Sequence, residues 1–204
     1  MTNTPIDNKN GRPLEHYRAL FAGAQTEDMT RRTGVPFSDG AFHTTLLGKA
    51  VGISHPGMEV AAEKDGSALA PATQILLGRY LLEGAALPCS GKFLSYAEFP
   101  WGSVYNAQFT GRCIRRLAAV YGSSLARFSE ACEALGGRKI SGADGAYELE
   151  LLPGLSVRLL LWEGDEEFPP SAQFLFSDNF AAAFTAEDMA VAGDVVLNAM
   201  KGKW

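Results

Sequence analysis

Four carboxylates, Glu163, Asp165, Glu166 and Glu167, fall within five residues of this chain, behind Trp162 and ahead of Phe168, Pro169 and Pro170. Charges this close repel one another, so a folded protein leaves them in water, pairs them or gives them a cation. Three readings follow. The cluster is a solvated turn, with Trp162 and Phe168 packed beneath it and its repulsion relieved by arginines such as those at 112–116. Alternatively it is a ligand or partner surface, in which the aromatics make a platform and the carboxylates fix polar groups. The third reading is a hard-cation site or an acid/base pair, completed in space by Asp178 and Glu187. Ca²⁺ takes about six oxygens or more, and the spacing is not that of an EF-hand loop.

A second group is basic. Arg112, Arg115 and Arg116 lie on an expected helix whose spacing puts Arg112 on the same side as the other two. With Tyr105 one or two turns earlier and Lys92 nearby in sequence, the group suits an anion or a carboxylated ligand. The plainer reading is a solvated face, or ion pairs to the acidic loop.

Other chemistries are poorly supplied. Gly91-Lys92 runs into Phe93 without the upstream glycine of a P-loop, no GxGxxG follows a strand, and there is no GxSxG elbow. His16, His43 and His55 are far apart and read as structural or surface histidines, His55 before Pro56-Gly57 being the least ordinary. A thiol nucleophile would need folding to join Cys89 to His55. The three cysteines, Cys89, Cys113 and Cys132, contain no CxxC pair, so no self-contained iron–sulfur or zinc site is expected. Cys113 and Cys132 sit among apolar neighbours and read as small hydrophobes.

Composition bounds the partners. The 204 residues are 47% hydrophobic and 20% charged, ordinary for a globular chain. A formal charge of −5 disfavours nucleic acid and anionic lipid, both of which want a basic face. No apolar run approaches the ~20 residues that span a bilayer, so no membrane is expected. Met1 to Arg12 lacks the basic start and apolar core of a secretory signal and reads as a disordered lead. The expected location is the cytoplasm.

The elements that must position these groups follow from period and punctuation. Pro13–Phe21 reads as a helix, and Thr26 opens another as its N-cap, stopped by Gly34. Phe42–Leu47 and Lys49–Ile53 read as strands around Gly48. Pro71 opens a helix apolar nearly all round, a central buried element ended by Gly84. Lys92–Phe99 is extended, 103–121 is a helix weak at Gly111, and Leu125–Leu135 is another. Strands flank Pro153-Gly154. A plain two-residue loop there would set Leu149 opposite Arg158, so matching the apolar faces requires a one-residue shift. A bulge or odd loop is therefore expected, with Arg158 opposite Glu148 or Glu150. Phe174–Ser177 adds a strand, and Thr185 with Asp188 forms the capping box of a last helix whose stripe is Met189, Ala192, Val196 and Met200. Strands pairing as neighbours point to α+β, one domain over 13–204 with its antiparallel sheet formed largely by the C-terminal third.

Several segments occurring in order carry a resemblance: Ile75-Leu76-Leu77-Gly78-Arg79-Tyr80-Leu81-Leu82, Ser90-Gly91-Lys92-Phe93, Tyr105-Asn106-Ala107-Gln108-Phe109, Leu161 to Ser171, and Thr185-Ala186-Glu187-Asp188. Together they resemble the bacterial and archaeal family catalogued as domain of unknown function three-seven-eight-six, from about residue 13 to residue 200. The WxGDEEFPPS segment is the most specific part. Phe93 stands where a tryptophan is expected, and Ser177-Asp178 where an aspartate is expected after the Leu-Phe pair. The resemblance implies a protein of anaerobes, with some relatives fused to an iron–sulfur domain similar to that of corrinoid iron–sulfur proteins. This chain lacks that cysteine-rich segment and a DxHxxG cobalt-ligating motif. What is implied is a soluble ligand-binding or accessory protein of anaerobic, corrinoid/tetrapyrrole or iron–sulfur linked metabolism, with a corrinoid or haem as the ligand and a small molecule or protein as the partner. The expected surface comprises Lys92, Tyr105, Arg112, Trp162, Asp165, Glu166, Glu167 and Phe168. The alternatives are a carboxylate- or hard-metal-dependent enzyme using the acidic loop, and a structural subunit with an exposed apolar patch.

Overall fold

A computed structural model describes residues 11–204, in which helices combine with two antiparallel sheets, the α+β class expected from the sequence. Positions 1–10 of the expected disordered lead lie outside the described residues, while residues 11 and 12 already belong to a helix. The chain forms two compact units, one ending at Ala86 and one holding Leu87–Trp204, with residues 45–49 counted in the second.

The first unit contains α1 (Gly11–Ala22), α2 (Thr26–Thr33), β1 (Phe37–Ser38), most of β2 (Ala41–Leu46) and β3 (Lys49–Ser54), then β4 (Val60–Ala62) and α3 (Pro71–Glu83). The sheet order is β1-β2-β3-β4. Leu47 and Gly48, both at positive φ (49° and 75°), turn β2 into β3, the two-residue geometry that suits twisted hairpins. Thr26 proves to be the first helical residue of α2 and not its cap; Gln25 precedes it without a side-chain bond, and Gly34 at φ 70° closes the helix. As expected, α3 starts at Pro71 and is buried on most sides, through Gln74, Leu76, Leu77, Gly78, Tyr80 and Leu81. A Cβ at Gly78 would lie 2.3 Å from Met58 Sδ, so a larger residue there would force the Met58 side chain to move. Arg32 donates to the carbonyls of Leu81 (2.7 Å), Leu82 (2.9 Å) and Gly84, closing the orphan end of α3 with a cation.

The second unit is built on a five-stranded sheet in the order β5-β9-β8-β7-β6. Its strands are β5 (Phe93–Ser95), β6 (Arg138–Lys139), β7 (Gly145–Leu152), β8 (Leu155–Trp162) and β9 (Ser171–Ser177). Its helices are α4 (Gly102–Phe109), α5 (Arg115–Tyr121), α6 (Leu125–Glu133), α7 (Phe180–Ala183) and α8 (Ala186–Ala199). The expected shift in register is present. Leu149 faces Val157 and Glu148 faces Arg158, with the irregularity between Glu150 and Leu152. That register buries Leu149, Val157, Leu159, Leu161, Phe174 and Phe176 on one face. The other face carries Glu148, which accepts from Arg158 Nε at 2.8 Å and Arg138 Nη2 at 2.9 Å. No described helix is long and apolar enough to cross a membrane.

Candidate functional site

The helix read at 103–121 is interrupted where its glycine weakens it. Between α4 and α5, Thr110–Ile114 form a π turn that includes Gly111, Arg112 and Cys113. Such an inserted turn widens a helix and re-aims the side chains around it, and it is frequent at functional sites. Here Tyr105, Gln108, Phe109 and Arg112 all reach one cavity of about 290 Å³, whose lining is completed by Tyr96, Glu187 and Ala190. The spacing of 0, 3, 4 and 7 residues is that of one helical stripe, so Tyr105 and Arg112 are brought together as the sequence suggests.

Neighbouring elements fix the walls. The short 3₁₀ turn Tyr96–Glu98 after β5 is closed by a capping box between Ser95 and Glu98. Tyr96 then stacks on Phe109 with ring centroids 4.2 Å apart and planes 6° from parallel, and its hydroxyl donates to Ala186 O at 2.9 Å. Gly102 has no room for a side chain, since a Cβ would come 1.8 Å from Tyr96 O. From the other side α8 brings Glu187 and Ala190, its start fixed by the expected Thr185/Asp188 capping box. It packs tightly against the π turn: a Cβ at Gly193 would lie 2.7 Å from Cys113 Sγ.

The charges converge on the Tyr96 phenol. Burial first holds its pKa above the usual tyrosine value; Cys113, Tyr105 and Glu187 push the same way and Arg112 opposes. The Nε of Arg112 donates to Asp194 Oδ2, so its guanidinium is held by the inner edge. Arg116 donates to the same carboxylate at 3.1 Å and to Asn198 Oδ1 at 2.6 Å. Arg112 and Arg116 therefore pair with α8 and not with the acidic loop, whose carboxylates are exposed as the solvated-turn reading expects but without the relief expected from these arginines. Arg115 is exposed. A half-exposed guanidinium fixed by a carboxylate, beside a stacked aromatic pair, is an arrangement that binds a carboxylate or phosphate edge.

The acidic loop is a separate place with a structural logic of its own. Asp165 Oδ1 accepts from the backbone N–H groups of Phe168 (2.7 Å) and Glu167 (2.8 Å), which hold its carboxyl below the usual range. Pro170 wedges between two glycines: a Cβ at Gly122 would lie 2.2 Å from Pro170 Cβ, and one at Gly164 2.6 Å from Pro170 Cδ. Gly122 is ten residues beyond Arg112, roughly 15 Å along a helix at 1.5 Å per residue. Glu166 and Glu167 are exposed, and Phe168, expected to pack beneath the loop, is 67% exposed. Trp162 is half-buried at the end of β8, opposite Ser171. Among the described residues no three His, Cys, Asp or Glu side chains are grouped to hold a metal ion.

Asp178 and Glu187 do not complete that loop. Glu187 lines the cavity, and Asp178 accepts from the Ser90 N–H at 3.0 Å and from its hydroxyl, organising the turn that carries Lys92. These Ser90 bonds lower the Asp178 pKa. Lys92 meets Asp178 through backbone, its carbonyl accepting from Asp178 N at 3.0 Å, and it is not among the cavity's lining residues. Sequence reasoning does not reach Tyr96, Gln108, Phe109 or Ala190. The stripe from Tyr105 to Arg112 is the signal that would have found two of them. At the low end of the ~300–1,000 Å³ that ligand pockets span, the cavity suits a substituted ring and not a whole corrinoid or haem macrocycle, and none of its lining residues is histidine or cysteine.

A family model described as a domain of unknown function, DUF3786, matches residues 25–199. No curated protein and no solved structure matches the chain.

Proposed function

We propose a function from the site itself, because the chain belongs to the DUF3786 family, a domain of unknown function that lends it no activity. The protein is a ligand-binding or accessory protein that takes a small acidic molecule at the π turn, its anionic edge on Arg112 and its apolar part against Tyr96, Tyr105 and Phe109. One observation carries this reading: Arg112, fixed through Nε by Asp194, lines the same cavity as a stacked aromatic pair. A charge-assisted hydrogen bond from the half-exposed guanidinium would hold the anionic edge, and the planar guanidinium selects a planar anion. A place in anaerobic metabolism rests on the family resemblance alone. A corrinoid or another tetrapyrrole would enter the cavity by a carboxylated side arm, its macrocycle remaining outside.

Native mass spectrometry of the full chain purified from its own host, beside an Arg112→Gln variant, tests the proposal. The expected result is an acidic molecule retained by the parent chain and lost from the variant. A ligand retained equally by both overturns the assignment to this cavity.

A further inference from the structure

Three of the large apolar side chains that the fold leaves in water stand within five residues: Trp101 is 74% exposed, Val104 66% and Tyr105 46%. Tyr105 also lines the cavity, so this stripe adjoins its mouth. Two features set Trp101 apart from an ordinary surface residue. Its backbone is left-handed, φ 63° and ψ −4°, a region that bulky L-residues rarely enter and that tends to mark ligand clamps. Its position is also pinned on the following side, where Gly102 N donates to Phe99 O at 2.9 Å and Gly102 lies against the Tyr96 carbonyl. Neither packing nor backbone preference favours an indole held there in solvent. Moreover, no charged residue occurs from Phe99 to Gly111, although the chain carries 41 charged Lys, Arg, Asp and Glu side chains (18 + 23). An uncharged aromatic strip thus leads into a cavity with a fixed guanidinium in its wall.

We infer that the ligand is a flat aromatic carboxylate longer than the cavity, its carboxylate on Arg112 and its ring system running out past Tyr105 over Val104 and Trp101. This rests on the cavity being the binding site. The aromatic faces select a flat ring by offset stacking, and Arg112 selects the acid over a neutral isostere. The left-handed turn at Trp101 supplies a preformed outer wall, so no ordering of the chain is needed on binding.

Isothermal titration of the full chain with benzoate, 4-(phenylethynyl)benzoate and 4-(phenylethynyl)benzamide tests this inference, with Arg112→Gln and with Trp101→Ala, which removes a side chain that is 74% exposed. Trp101 stands eleven residues before Arg112, roughly 16 Å along a helix, so the probe must be longer than two fused rings. The expected result is the longer acid about tenfold tighter than benzoate, the gain from ~50 Å² more apolar area removed from water. Trp101→Ala should remove that gain and leave benzoate unchanged, and the amide and Arg112→Gln should lose binding. The two acids binding equally through Arg112 would overturn the extension over Trp101 while leaving the cavity reading standing. Binding by neither acid would overturn both. A dimer that dissociates on Trp101→Ala, with the longer acid's affinity unchanged, would give the strip to a second copy of the chain and also overturn the extension.

Discussion

Replacing Gly193 with alanine probes the packing that aims the π turn. The added Cβ would sit 2.7 Å from Cys113 Sγ and 3.2 Å from Phe109 Cε2. Cys113 is 0% and Phe109 1% exposed, so neither can swing into solvent. Overpacking of this kind costs about 1–3 kcal/mol. Against it stands the gain from alanine over glycine within a helix, about 1 kcal/mol. The net expectation is a loss of roughly 0–2 kcal/mol, too broad for one variant to be decisive. A double-mutant cycle removes the ambiguity. Cys113→Ala deletes the sulfur that the new methyl meets, so the pair Gly193→Ala/Cys113→Ala should keep the helix gain and lose most of the clash. The coupling energy from urea unfolding should therefore be favourable by about 1–3 kcal/mol. Coupling below roughly 0.5 kcal/mol, the additivity of independent sites, would refute the close approach of α8 to the π turn. Phe109 is shared with the cavity, so Gly193→Ala alone should also weaken benzoate binding, and Cys113→Ala should restore it in the pair.

Other perturbations test separate parts of the molecule. His43 places Nδ1 2.6 Å from Glu63 Oε1 and Nε2 3.2 Å from Ser38 O, both acceptors, and its pKa is raised, first by Glu63 and then by Ser38. A raised folded pKa contributes stability below the ordinary histidine value of about 6.5, lost as pH rises through the folded value. His43→Gln should therefore lower Tm more at about pH 5 than at about pH 9, and equal losses would count against a stabilising His43–Glu63 pair. Burial pushes the Cys113 thiol up to about 12 and also raises Cys132, whereas Cys89 is exposed. A thiol reagent should modify Cys89 in the native chain and reach Cys113 and Cys132 only after denaturant is added. Asp165→Ala should speed hydrogen exchange at the amides of Glu167 and Phe168, which its carboxylate now accepts from, without changing benzoate affinity.

What was legible in the sequence was mostly local. Gly34, Pro71, Gly84 and the Thr185/Asp188 box act within a turn or two of themselves, Pro71 and the box opening the helices expected of them and Gly34 and Gly84 closing theirs. The β7–β8 register was legible for a different reason. Alternation of Leu149, Val157 and Leu159 with charged neighbours leaves one pairing that buries every apolar face, and it demands the irregularity found beside Leu152. Gly111 marks a weak spot but not its form, because the π turn packs against Gly193 of α8, more than eighty residues away, and that contact is not local. The acidic loop drew attention through its charges, whereas the bonds of Asp165 and the wedge of Pro170 against Gly122 give much of that segment a packing role. Its most specific residues read as a fold determinant once Gly122 is placed. The cavity was half legible: Tyr105 and Arg112 share a stripe with Phe109, but nothing in the sequence brings Tyr96 and Ala190 to face them.

The most direct measurement is an NMR titration of the ¹³C,¹⁵N-labelled full chain with benzoate. Binding at the π turn should move the Ala190 methyl, the Gln108 side-chain amide and the Arg112 Nε–H, all belonging to residues of the cavity wall. The amides of Glu166 and Glu167, in the acidic loop whose Pro170 packs on Gly122, should stay still. Shifts confined to the loop from Glu163 to Pro170, or no shift at Arg112 under saturating benzoate, would contradict a ligand site at the π turn.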